Sequence, residues 1–106
     1  MKMDKIIKQA QRMQAQMALA QEELQNTVLE GAAGGGAVKA TANGHGDILS
    51  VTIDKEVVNP DDVEMLEDLV LSAVKEAISK SKELSNDKMN SVTGGMGGMG
   101  GLPGLM

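Results

Sequence analysis

The sequence predicts an α+β fold of a particular order: a long helix, a small antiparallel sheet of hairpin or meander type, and a second long helix. Three observations carry that reading. Apolar residues recur at helical spacing from Met3 to about Val28, and again from Val63 onward. Between them, Glu30 to Asp54 is broken by glycines and contains one short alternating strand. The turn Asn43-Gly44-His45-Gly46 stands directly before that strand, and Asn59-Pro60-Asp61-Asp62 stands before the second helix.

In the first helix Met3, Ile6, Ala10, Met13, Met17, Ala20 and Leu24 are spaced alternately by three and four, which is a heptad seam. Such a helix is roughly 40 Å long at ~1.5 Å per residue, and a seam of that length needs an equally long partner. Ala, Gln, Met, Glu and Leu dominate its interior and favour the helix; Gly31 with Gly34-Gly35-Gly36 is expected to end any continuation. The methionines read as packing residues. Lys5, Lys8 and Arg12 form a stripe on a different face, with Lys2 beside it, and Asp4 is the only acid in residues 1–17.

The strand block turns on glycine. Ile48, Val51 and Ile53 set against Leu49, Ser50 and Thr52 read as a strand, and Asn43-Gly44-His45-Gly46 supplies the positive φ of a tight reversal. The second helix is expected to open with Asn59 as N-cap, Pro60 in the first position and two acids at the positive end of the dipole. Val63, Leu66, Leu69, Val70, Ala73, Val74, Ala77 and Ile78 give it a broad apolar stripe, suited to packing on a sheet and a partner. The pattern fades beyond about Leu84. Residues 1–88 are therefore read as a single helix–β–helix domain and 89–106 as a Gly/Met-rich tail expected to be disordered.

Composition narrows the chemistry. Among 106 residues there is no Phe, Tyr, Trp or Cys, so the core must come from aliphatic residues, and disulfides, thiolate nucleophiles and cysteine metal sites are excluded. A thin core, a long seam and a small hairpin together predict an obligate homodimer, formed through strand edge or helix seam. His45 is the only histidine and reads as a solvated turn residue, not a ligand; the triple glycine lacks the Gly-Lys-Ser/Thr of a phosphate loop. Neither an enzyme nor a cofactor site is expected. With no apolar run of membrane-spanning length and no apolar signal core, the chain reads as soluble and cytoplasmic.

The net charge of −5 is unevenly placed: residues 1–17 sum to +3 and residues 54–68 to −6. If the helices run back alongside one another, the start of the first and the end of the second share a distal end. That end would gather Lys2, Lys5, Lys8, Arg12, Lys80 and Lys82, with Lys88 near them. A basic tip on an acidic body directs a polyanion to one place.

Lys8-Gln9-Ala10-Gln11-Arg12-Met13-Gln14, Gly34-Gly35-Gly36-x-Val38, Asn43-Gly44 before Ile48 to Asp54, and Glu64-Met65-Leu66-Glu67-Asp68-Leu69 closely resemble the YbaB/EbfC family of bacterial nucleoid-associated proteins. The resemblance covers nearly the whole chain, including a tail of the Gly-Met-Leu-Pro-Gly kind. It implies an intertwined homodimer with a central sheet and projecting helices, located in the nucleoid, which binds double-stranded DNA, alters its conformation and affects gene expression. Lys2, Lys5, Lys8, Arg12, Lys80 and Lys82 are the expected DNA contacts. The competing reading is a prefoldin-like chaperone or adaptor that grips polypeptide through Met1, Met3, Ile6 and Ile7 at the tips.

Overall fold

The computed structural model describes residues 2–94, with the side chains of residues 3–92. The order is α1 (Lys2–Asn26), β1 (Val28–Ala33), β2 (Val38–Asn43), β3 (Ile48–Ile53) and α2 (Val63–Gly94), with short 3-10 turns at Gly34–Gly36 and Lys55–Val57. The α+β class and the helix–sheet–helix order are as expected. The sheet is a three-stranded antiparallel meander in the order β1-β2-β3. The described chain measures 73 × 30 × 16 Å with a radius of gyration of 19.9 Å, against roughly 13 Å for a compact domain of this length. It is a rod.

Local chemistry explains the boundaries. α1 stops at Asn26, where the Thr27 hydroxyl donates to the Glu23 carbonyl at 2.7 Å and satisfies one of the acceptors of the last turn. The strand block thus starts at Val28, two residues before the expected Glu30. Gly31, expected to end the helix, lies buried within β1. Gly34, Gly35 and Gly36 all have positive φ and make the β1–β2 turn. In the β2–β3 turn only Gly46 has positive φ, while the Asn43 side-chain oxygen accepts from the amides of His45 and Asp47. Gly44 is required for another reason: a Cβ there would stand 2.7 Å from the Leu24 carbonyl oxygen.

α2 begins at Val63 and not at Pro60. Asn59 caps a turn, its side chain accepting from the Asp61 amide, and Asp62 is the N-cap, accepting from the Met65 amide at 3.2 Å. At the other end the helix passes Leu84, and the expected division at residue 88, and runs to Gly94. Residues 85–94 are mostly weak helix formers, so contacts with α1, among them the Lys88–Glu23 pair, sustain the helix where the apolar stripe fades. The remainder of the expected tail, 95–106, lies outside the described residues.

The core is thin and alanine-rich. Val38, Ala40 and Ala42 of β2 are buried against Ala73 and Ala77 of α2, with Leu66, Leu69, Val70 and Val74 around them. Small residues bring helix and sheet close. At Gly31 the approach is closest, since a Cβ would lie 2.3 Å from the Ala73 carbonyl oxygen. This draws α2 over β1 and β2 and away from β3. In the β2–β3 register Val38 faces Ile53 and Ala40 faces Val51, so those β3 side chains point to the helix side of the sheet, yet both remain exposed. A register shift at Thr41/Ala42 pairs Ala42 with Ile48, placing Ile48 with Val51 and Ile53 as the sequence pattern had grouped them.

Candidate nucleic-acid interface

α1 returns antiparallel beside α2, but its two halves have different surroundings. Ala20 and Leu24 are buried, and Lys88 of α2 pairs with Glu23 at 2.8 Å. Ser91 and Val92 stand opposite Gln16, Leu19 and Ala20. This fixes the level of the helices: α2 reaches Gln16, and at ~1.5 Å per residue the first turns of α1 project roughly 20 Å further. Every residue from Met3 to Ala10 is exposed. The seam is therefore half used; Met3 and Ile6 are 67% and 61% exposed, whereas Leu24 is 1%.

Lys5, Lys8 and Arg12 are exposed on this projecting half, and none of them makes an ion pair among the described residues. At about 100° per residue they lie on the side of α1 away from the Met13–Met17 stripe. Lys2 opens the same helix. Three exposed cations on one face of a rod, with no ion-pair partner among the described residues, make that face electropositive.

Two expected tip residues lie elsewhere. Lys80 donates from Nζ to the Glu30 carbonyl at 2.8 Å, beside β1. Lys82 lines a shallow concavity with Gly44, His45, Gly46, Ser81 and Ser85, at the β2–β3 turn. Lys88, held by Glu23, lies six residues nearer the tip, so Lys82 and Lys8 are separated along the rod by on the order of 30 Å. Periodicity put all these lysines on helix faces. The pairing level of the two helices, which places them along the rod, had no signature in the sequence. His45 is exposed, as expected, and adds a tertiary contact: its Nε2–H donates to the Gln21 carbonyl at 3.1 Å, tying the turn to α1.

No group of three or more His, Cys, Asp or Glu side chains suited to a metal exists among the described residues. No helix among them is long and apolar enough to cross a membrane. Against known proteins, residues 1–96 match the model of the YbaB/EbfC DNA-binding family. This chain belongs to that family. It is 51% identical over 94 residues to a nucleoid-associated protein of Ruminiclostridium cellulolyticum, covering 89% of this chain and 82% of the relative. A nucleoid-associated protein of Chloroflexus aurantiacus is 50% identical over 91 residues, covering 86% and 91%. The crystal structure of an uncharacterized protein, HP0035 from Helicobacter pylori, has the same fold, with a TM-score of 0.72 at 21% identity over 92% of this chain and 99% of that one. YbaB/EbfC membership makes DNA binding, and not catalysis, the frame for the cations of α1.

Proposed function

We propose that this YbaB/EbfC chain is a nucleoid-associated protein that binds double-stranded DNA as a homodimer, mainly by phosphate contacts, alters the conformation of the duplex and thereby affects gene expression. The observation that carries the reading is the projecting half of α1, with Lys5, Lys8 and Arg12 exposed, without ion pairs among the described residues, and beyond the reach of the described part of α2. Lys2 opens the same helix and is assigned to this contact surface by its position in the sequence, its side chain lying outside the described residues. Lys82 supplies a second, weaker contact nearer the sheet, and Lys80 contributes least because its ammonium donates to the Glu30 backbone carbonyl. Without any aromatic side chain there is no stacking platform for unpaired bases, which favours duplex over single-stranded DNA.

Support for the dimer comes from β3. Ile48, Val51 and Ile53 are exposed on the helix side of the sheet, and Ile53 joins Leu66, Val70, Leu71 and Val74 in an apolar groove of about 430 Å³. A second β3 pairing antiparallel across a two-fold axis would cover both the edge and the groove, and would carry two projecting α1 rods on one body. Two rods fixed to one sheet impose their own spacing on the duplex.

A gel-shift titration against salt tests the reading. With about 4 to 6 phosphates neutralised per dimer, log affinity should fall against log salt with a slope of roughly −4 to −5, alike on unrelated duplexes. Replacing Lys5, Lys8 and Arg12 together by glutamine should flatten the slope and weaken binding, whereas Lys80→Gln with Lys82→Gln should do less. A triple variant that binds as the parent does at every salt concentration overturns the tip reading. Binding of unfolded polypeptide in preference to DNA, lost when Met3, Ile6 and Ile7 are replaced, would favour a chaperone.

A further inference from the structure

The two edges of the sheet are treated differently. On β1 two of the outward-facing backbone groups are engaged by α2: the Ala32 amide donates to Glu76 Oε1 at 2.8 Å, and the Glu30 carbonyl accepts from Lys80 Nζ at 2.8 Å. Glu76 and Lys80 are one helical turn apart, and they reach the edge because Gly31 lets α2 lie directly on the strand. On β3 the situation is reversed. The Asp54 amide bonds to the Ala37 carbonyl, so by the two-residue period Val51 and Ile53 turn their backbone groups away from β2. Among the described residues no side chain hydrogen-bonds the β3 backbone.

We propose that Glu76 and Lys80 are a pair of edge guards that close β1 to strand addition, so that a second copy of this chain joins only at β3 and assembly stops at two chains. The inference rests on the dimer reading above. A sheet doubled at β3 has β1 at both outer edges; were those edges open, dimers would add end to end without limit. An acceptor on the Ala32 amide and a donor on the Glu30 carbonyl occupy two neighbouring groups in the middle of the edge, and the side chains that bring them stand where an incoming strand would lie. The guards are side chains of a helix already held by the core, so they add no segment to the fold.

Sedimentation velocity over a wide range of chain concentration tests this, comparing the parent with Glu76→Ala/Lys80→Ala. The parent should remain at two chains throughout, and the double variant should form larger species that grow with concentration. A folded double variant that stays at two chains overturns the guard. Amide exchange gives a second measure without relying on that variant: Ala32 should be protected in the parent and exchange about tenfold faster in Glu76→Ala, which removes the acceptor, the scale of losing a charge-assisted hydrogen bond. Rapid exchange of Ala32 in the parent overturns the guard even if the double variant fails to fold. A parent that sediments as one chain overturns the dimer reading alone; the guard is then judged by whether the double variant self-associates where the parent does not.

Discussion

Replacing Gly31 by alanine adds one methyl group at the point where helix and sheet come closest. The new Cβ would stand 2.3 Å from the Ala73 carbonyl oxygen, 2.4 Å from the Ala77 nitrogen and 3.0 Å from the Ala77 Cα. Ordinary contact begins near 3.4 Å, so α2 must withdraw by about 1 Å at this level. All three atoms are backbone, and no rotamer change relieves them. Overpacking of this sort costs about 1–3 kcal/mol, and withdrawal also loosens Ala73 and Ala77 from Val38, Ala40 and Ala42. Against it stands the gain of roughly 0.5–1 kcal/mol from removing a glycine within a strand. The expected net loss is about 1–2 kcal/mol, or a fall in Tm of about 4–16 °C for a domain of this size. Thermal unfolding followed by circular dichroism, at fixed chain concentration because assembly shifts Tm, measures it. Gly35→Ala is the comparison: nothing lies within 4 Å of its Cβ, and only its positive φ opposes the change, at a cost of about 1–2 kcal/mol. A Gly31→Ala protein melting within about 3 °C of the parent would refute the close-approach argument.

Three smaller perturbations separate the contacts that hold α1. Leu24→Ala, at a fully buried side chain, should cost about 2–5 kcal/mol in chemical denaturation. Gly44→Ala places a Cβ 2.7 Å from the Leu24 carbonyl oxygen, which already accepts from the Gly44 amide, and should lower stability by about 1–3 kcal/mol with the loss concentrated at the α1–turn junction in hydrogen exchange. Lys88→Met breaks the pair with Glu23, but both side chains are substantially exposed, so the change should be under about 1 kcal/mol and should shrink with added salt.

The sequence by itself determined the order helix, sheet, helix, because periodicities of 3.6 and 2 are local and survive without knowledge of what they pack against. It likewise determined the tight turn at Asn43 to Gly46, where a side-chain oxygen and a positive-φ glycine act within five residues. It placed Lys5, Lys8 and Arg12 on one face of α1, a matter of spacing alone. Where it misled, the cause was distant in the chain. Gly31 read as a helix breaker because glycine is permissive, but its need for a missing Cβ comes from Ala73 and Ala77 on another element. Asn59-Pro60 looked like a helix start because capping residues also build turns, and Asp62 with its bond to Met65 took the role. Only the tertiary structure decided that α2 lies over β1 and β2 and covers β3 only in part, since that offset follows from the sizes of facing residues. Only the meeting of Glu23 with Lys88 set the level of the two helices, leaving the first turns of α1 projecting and drawing Lys80 and Lys82 back to the sheet. A helix repeats every turn, so its sequence names a face; the contact with a neighbour is what fixes position along the axis.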